Sequence, residues 1–317
     1  MRITREIAES NLQISEQTLR ISQEGQISNS FTRAIEQLGN QSNLASRLGG
    51  IYALEQIAKN SQEYNKPIVE LLTAFVREHS RWKEADSVEA ERAGLDIQTI
   101  LTVLGRRTRL SQGDDPRNPL NLIATNLRLI TLIDSHFEHA VFARSNLQGA
   151  FLSDSHFEEA SFRKCNMKKA VMERTQLGRA NFTDANMEGA NLLEAQGKQA
   201  NFVMARLQGA CFTRGYLKGA QFIRANLVKA YFDEAVLRGA NFVGADLQEV
   251  DFTKACLVGA DLVGTNLKDA NLEGADLSDA HGLSLEQLKS TYGYGNAILP
   301  NYLKIAMQSE QETERQG

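Results

Sequence analysis

Between Asn121 and Ala280 a small residue stands at nearly every position ending in 0 or 5, with Ile130 and Val250 as the departures. Two residues later, at positions ending in 2 or 7, stands Leu, Phe or Met. A helix repeats every 3.6 residues and a flat strand every 2, so neither holds a period of five; each unit must turn a corner. The centres run from Leu122 to Leu277 and make 32 units, of which only Gly197 lacks a large apolar side chain. Self-similarity on that scale predicts a solenoid.

Outside the array the pattern is helical. Residues 1–26 lack Pro and carry Ile7, Ile14 and Ile21 seven apart, but Ser10, Gln17 and Glu24 leave the second half of a coiled-coil seam polar. A solvated or partner-seeking helix is expected there. Residues 27–112 read as a small α-helical domain: Phe31, Ala34, Ile35 and Leu38 on one face stopped by Gly39-Asn40, then Leu44–Lys59, Pro67–Glu78 and Asp96–Arg106. Residues 113–120 are a turn-rich junction, 121–280 the array, 281–305 a C-terminal cap using Leu283, Leu285 and Leu288, and 306–317 a polar tail expected to be disordered. All four prolines lie outside the repeat, as a fully engaged backbone requires.

Stretches such as Ala180–Ala195 (ANFTDANMEGANLLEA) and Ala260–Ala280 (ADLVGTNLKDANLEGADLSDA) resemble the A(D/N)LXX signature of pentapeptide repeat proteins. The resemblance implies a right-handed quadrilateral β-helix with four pentapeptides per coil. The helical segment before the array is similar to one joined to such repeats in bacteria, where membrane-spanning helices often precede it. The residues support a coil of four units independently. At that spacing Phe142, Phe162, Phe182, Phe202, Phe222 and Phe242 stack in one column, Phe212, Phe232 and Phe252 in the opposite one, and the other two are mainly Leu and Met. Thirty-two units make eight coils, a rod about 38 Å long at about 4.8 Å per layer.

The formal charge of −4 gives no bulk reason to expect nucleic acid or an anionic membrane as partner. Three cysteines, Cys165, Cys211 and Cys256, without a C-x-x-C pair, suit a reducing compartment. No run of 18 apolar residues occurs, and Met1 leads into the polar stretch Arg2–Asn11. The expectation is a cytoplasmic chain without a membrane span, membrane-associated only by analogy with relatives.

No catalytic motif, cofactor loop or paired-carboxylate cleft stands out, and a filled prism offers no concave site. No catalytic residue, cofactor or metal is therefore expected; the one cluster with metal-ligand character is His136, His139 and His156, beside Glu138, Glu158 and Glu159. On the side bearing the long Phe column, Val203, Ile223, Val243 and Val263 fall in register with Met204 adjacent, an apolar stripe that marks a candidate interaction surface. A second copy of the chain or the helical module would be able to cover it. The side centred on Leu132, Leu152 and Met172 carries Asp134, Asp154, Glu173, Glu194, Asp233, Glu234, Asp251 and Glu273 against Arg174, Arg214 and Lys254.

These features predict a non-enzymatic protein–protein interaction scaffold with a protein partner, a homodimer being one form. The alternative is a DNA-mimicking regulator of gyrase or topoisomerase, which the resemblance to pentapeptide repeat proteins brings into view. The array's 19 acidic and 17 basic residues are too evenly balanced to imitate a duplex with one charge per about 1.7 Å.

Overall fold

A computed structural model describes residues 2–83, 91–106 and 119–316. The chain divides into two compact units, Met1–Leu72 and Thr73–Gly317.

The first unit is helical. α1 (Arg2–Leu38) is one continuous 37-residue helix, so the expected N-terminal helix and the first bundle helix are a single element. It stops where Gly39-Asn40 predicts, and Asn40 Oδ1 accepts from the amides of Ser42 and Asn43. α2 (Leu44–Asn60) is capped by Asn43, whose side chain accepts from Ser46 N at 3.0 Å. α2 crosses α1 at the backbone: a Cβ on Gly50 would lie 2.7 Å from Ala34 O and 2.8 Å from Leu38 N. Only glycine permits that approach. α3 (Gln62–His79) begins as soon as Ser61 has closed α2, which places Pro67 inside the helix and not in its first turn. Phe31 of α1 meets Tyr64 edge-on, with ring centroids 5.0 Å apart.

The second unit contains the array. Each residue just before a centre pairs in parallel with the residue 20 further on, as Asn181 with Asn201 and Asn201 with Gln221. A coil of four pentapeptides follows, with four sides to each turn. The pairings are isolated bridges because only two residues per side run straight before the next corner.

The backbone hydrogen bonds explain the repeat. In the unit around Phe182, Asn181 N donates to Ala160 O below it, Phe182 N to Asn201 O and Asp184 N to Val203 O above it, and Ala185 N back to Phe182 O across the corner. The remaining amide, Thr183 N, is taken by the side chain of Asn181 at 3.0 Å. The same side-chain bond recurs at Asn191, Asn201, Asn241, Asp261 and Asn271. Asn or Asp before the centre therefore satisfies the one amide that the ladder omits.

The corner dictates the next positions. In all 32 units the second residue after the centre has positive φ, between 50° and 68°; nine are glycine and 23 carry side chains. With a hydrogen bond from the corner amide to the centre carbonyl, this is type II turn geometry. Alanine follows because two walls meet over it: Ala140, Ala180 and Ala220 have no solvent exposure. In the first coils hydroxyls replace it. Ser145 Oγ donates to Leu122 O at 2.8 Å and accepts from Thr125 N at 3.0 Å.

Inside, the Phe142 to Phe242 column stacks with centroids 4.9–5.1 Å apart and planes within 5°. It meets Phe212 and Phe232 from the opposite side edge-to-face, Phe202 and Phe212 lying 5.5 Å apart at 84°. Phe137 and Phe157 head the column that becomes leucine from Leu177 onward, and they too stack, at 5.9 Å. Full burial of each such side chain contributes about 1.5–3 kcal/mol. Gly197 does not interrupt the ladder: its amide reaches Tyr216 O at 2.9 Å and its carbonyl accepts from Ala200 N at 3.0 Å. Leu217 leans into the space, its Cδ2 2.8 Å from where a Cβ on Gly197 would stand.

Both ends of the array are closed. At the start, Arg81 bridges antiparallel to Thr125, and Asn126 N donates to Ser80 O. α4 (Leu95–Gly105), starting from Gly94, buries Ile97, Ile100, Leu101 and Leu104. The Gln98 side-chain amide brackets Thr131, donating to its carbonyl at 2.7 Å and accepting from its amide at 2.9 Å. Gly105 O receives His136 N, and a Cβ on Gly105 would meet Phe137 and Ser135 at 2.9 Å. Most of the 113–120 junction lies outside the described residues.

At the far end Tyr292 and Ile298 continue the ladder onto Asn271 and Asp276. α5 (Leu285–Lys289) carries a Ser284/Gln287 capping box and buries Leu288, with Leu283 beside it; Leu285 is only partly covered. The tail expected to be disordered is instead part of α6 (Asn301–Gln316), which has no Gly or Pro within it and whose Glu310 pairs with Lys289. Among the described residues no helix is long and apolar enough to cross a membrane.

The turns and the buried thiol can each be tested. A Cβ at Gly209 meets nothing within 4 Å, so Gly209→Ala tests turn strain alone. It should cost about 1–2 kcal/mol in chemical denaturation, and Gly209→Asn distinctly less. Burial pushes the Cys165 thiol up to about 12, and its Sγ donates to Phe142 O. Alkylation of the native protein should therefore modify the partly exposed Cys211 and Cys256 and spare Cys165, read by peptide mass spectrometry.

Candidate interaction surfaces and histidine cluster

Side chains just before and just after each centre point outward, and the coil spacing stacks them into columns. Val203, Ile223, Val243 and Val263 lie on four successive coils of one side, each at least partly exposed, with Met204 54% and Val263 49% accessible. Gly244 and Gly264 follow Val243 and Val263 and leave that half of the surface flat. The neighbouring Asn201, Asn241 and Asp261 use a side-chain oxygen to bond the amides of Val203, Val243 and Val263. The stripe stops at Gly282, where a Cβ would run into the Val263 backbone.

The acidic side is a different object from a row of free carboxylates. Arg174 grips Asp154 on the coil below through two parallel bonds, Nε to Oδ1 at 2.7 Å and a terminal nitrogen to Oδ2 at 2.8 Å. Arg214 reaches Glu194 at 3.3 Å. Glu173 accepts from Asn191, Asp233 from Thr213, Asp251 from Thr253 and Asn271, and Glu273 from Asn296. Asp134 and Glu234 occupy left-handed turn positions. The hydrogen bond from Arg174 holds the Asp154 carboxyl below its ordinary range. The same side also exposes Ile133, Phe151 and Tyr231.

Phe151, Tyr231 and Tyr216 were not among the residues singled out from sequence. Their signal was present: each stands where Asn or Asp otherwise bonds the next amide, so the unit gives up that bond for an exposed ring. In α1, Leu12, Ile14, Leu19 and Ile21 are also exposed.

The histidines sort into two groups. His136 and His156 pair in the ladder and stack, with ring centroids 4.6 Å apart and planes at 11°. His136 Nδ1 lies 3.1 Å from Glu138 Oε1, and His156 Nδ1 lies 3.5 Å from Glu158 Oε1. His139 stands apart on the following turn, 3.4 Å from Glu159.

The repeat region matches the family model described as pentapeptide repeats, at residues 121–158, 135–174, 175–214, 216–253 and 245–281. No curated protein matches the chain. Among solved structures, HetL, a pentapeptide repeat protein involved in heterocyst differentiation regulation from the cyanobacterium Nostoc sp. strain PCC 7120, is 25% identical over 58% of this chain and 88% of its own, with a TM-score of 0.28. QnrB1, a plasmid-mediated fluoroquinolone resistance protein, is 21% identical over 62% of this chain and 97% of its own, with a TM-score of 0.35. The pentapeptide repeat protein alr5209 from Nostoc PCC 7120 is 26% identical over 41% and 84%, with a TM-score of 0.17.

Asp154 and Arg174 offer a direct check on the paired acidic side. A carboxyl held below its unfolded value stabilises the fold above the ordinary carboxylate range, and that contribution is lost as pH falls through the lower, folded value. In Arg174→Ala the Asp154 titration followed by NMR should move back up toward an ordinary aspartate.

Proposed function

The chain belongs to the pentapeptide repeat family, whose fold is a right-handed β-helix, and from that premise we propose that it is a non-enzymatic protein–protein interaction scaffold. The observation that carries this reading is the Val203–Val263 stripe: four β-branched side chains in register on a ladder that cannot repack beneath them. A rigid surface binds with little ordering cost, since its side chains have few rotamers to lose. The buried phenylalanine and leucine columns serve the rod itself, so recognition falls to the outward columns and to the helices. The helices are the second contact region in this scheme, and a protein in the same cytoplasmic compartment is the partner.

The duplex-mimic reading has less support. Arg174 and Arg214 neutralise Asp154 and Glu194 from within, and Ile133, Phe151 and Tyr231 interrupt the acidic side. A gyrase supercoiling assay should show neither protection nor inhibition by this protein.

Ile223→Asp tests the stripe at its centre. The variant should keep the circular dichroism spectrum of the parent while losing a self-associated or partner-bound species in sedimentation and co-purification. Thr183→Asp, on the same side below the stripe, should lose nothing. Identical profiles for Ile223→Asp and the parent would reduce the stripe to β-propensity.

A further inference from the structure

We propose that His136, His156, Glu138 and Glu158 form a site for one divalent transition-metal ion of zinc-like preference, clamping two successive coils near the start of the array. This assignment is independent of the scaffold reading.

The ladder creates the juxtaposition. Positions one coil apart in sequence are vertical neighbours, so His136 and His156 stack and Glu138 and Glu158 come to lie in one column beside them. One ligand atom each from His136, Glu138 and His156 lies within 4.8 Å of the other two. A carboxylate only accepts, so in the hydrogen bond between His136 and Glu138 the imidazole is the donor, and an ion bound there takes the place of that hydrogen.

The distances suit such an exchange. Zinc bonds imidazole nitrogen at about 2.0–2.1 Å and carboxylate oxygen at about 2.0–2.2 Å, which sets nitrogen–oxygen edges of about 3.3 Å in a tetrahedron. The two observed edges are 3.1 Å and 3.5 Å. The ligand atoms of His136, Glu138 and His156 lie within 4.8 Å of one another, so binding draws these three closer and brings Glu158 in beside them. Both rings are about one-third exposed, at 30% and 36%, which leaves them room to turn from their parallel stack toward a shared ion.

A second observation points the same way. Glu158 Oε2 is buried without a hydrogen-bond partner among the described residues. A buried acceptor left unpaired is unfavourable, and this one belongs to the glutamate whose other oxygen lies 3.5 Å from His156 Nδ1. Two imidazoles with two carboxylates favour zinc, cobalt or nickel over magnesium or calcium, which prefer oxygen alone. His139, turned to Glu159, is outside the site and serves as its control.

The test uses the full chain, stripped with a chelator and titrated with zinc chloride by calorimetry at neutral pH. One ion should bind per chain, raise the thermal midpoint, and bind more weakly as pH falls through the histidine range. His136→Gln and His156→Gln should each weaken binding by at least about tenfold, while His139→Gln leaves it intact. Absence of stoichiometric zinc binding, or equal losses in all three variants, overturns the proposal. Should a histidine variant alter the circular dichroism spectrum, cobalt added to the parent chain decides: tetrahedral d–d absorption supports the site, and its absence refutes it.

Discussion

Satisfaction of the backbone amides between coils is the constraint from which the other features of the array derive. In a regular five-residue unit two amides and a third beyond the centre bond to the coils above and below, and a fourth closes the corner. That arrangement allows no proline within the repeat, demands a left-handed residue at the second turn position, and leaves room for little beyond a methyl group where two walls meet. The side chain before the centre completes the account by bonding the fifth amide, which is why Asn and Asp recur there. The apolar columns then gain their burial at no further backbone cost. Twenty-three turns tolerate side chains in left-handed backbone because the ladders on both sides over-determine each corner.

An open-ended ladder would expose unpaired amides and carbonyls at its first and last coils. The two ends meet this demand with different chemistry. At the start an extended segment at Ser80–Trp82, the side chain of Gln98 and the carbonyl of Gly105 stand in for a missing coil. At the finish the chain itself makes one further, looser layer through Tyr292 and Ile298, with Gln287 Nε2 donating to Thr265 O. With the interior filled and the ends occupied, the outward columns remain as the places where chemistry differs from coil to coil. Vertical spacing near that of a β-ladder makes each column a row of close neighbours, so sequence composition along a column sets local charge, apolarity or metal-ligand character.

The period of five, the small corners and the sorting of phenylalanine into opposed columns were legible in the residues, because each is a local rule repeated many times. The stripe from Val203 to Val263 and the pairing of His136 with His156 were legible for the same reason once four units were taken as one coil. Other features were not. The acidic side looked like uncompensated charge because Asp154 and Arg174 stand a whole coil apart in sequence; their bidentate bond depends on how the two side chains lean between coils. The C-terminal tail looked too polar to be ordered, yet it has no helix breaker, and an ion pair from Lys289 reaches Glu310. The single helix α1 reads as two segments from sequence because a polar stretch interrupts the apolar pattern without interrupting the helix.

By itself, then, the sequence determined the coil: a repeat of five with apolar centres and small corners has one compact solution, since each unit's amides find partners only on the neighbouring coils. Which outward residues remain available was decided by the tertiary structure alone. Availability depends on whether a vertical neighbour on the next coil supplies an opposite charge, a hydrogen bond or nothing. That is why Asp154 is engaged by Arg174, and why Val203 to Val263 and the His136–His156 pair face outward.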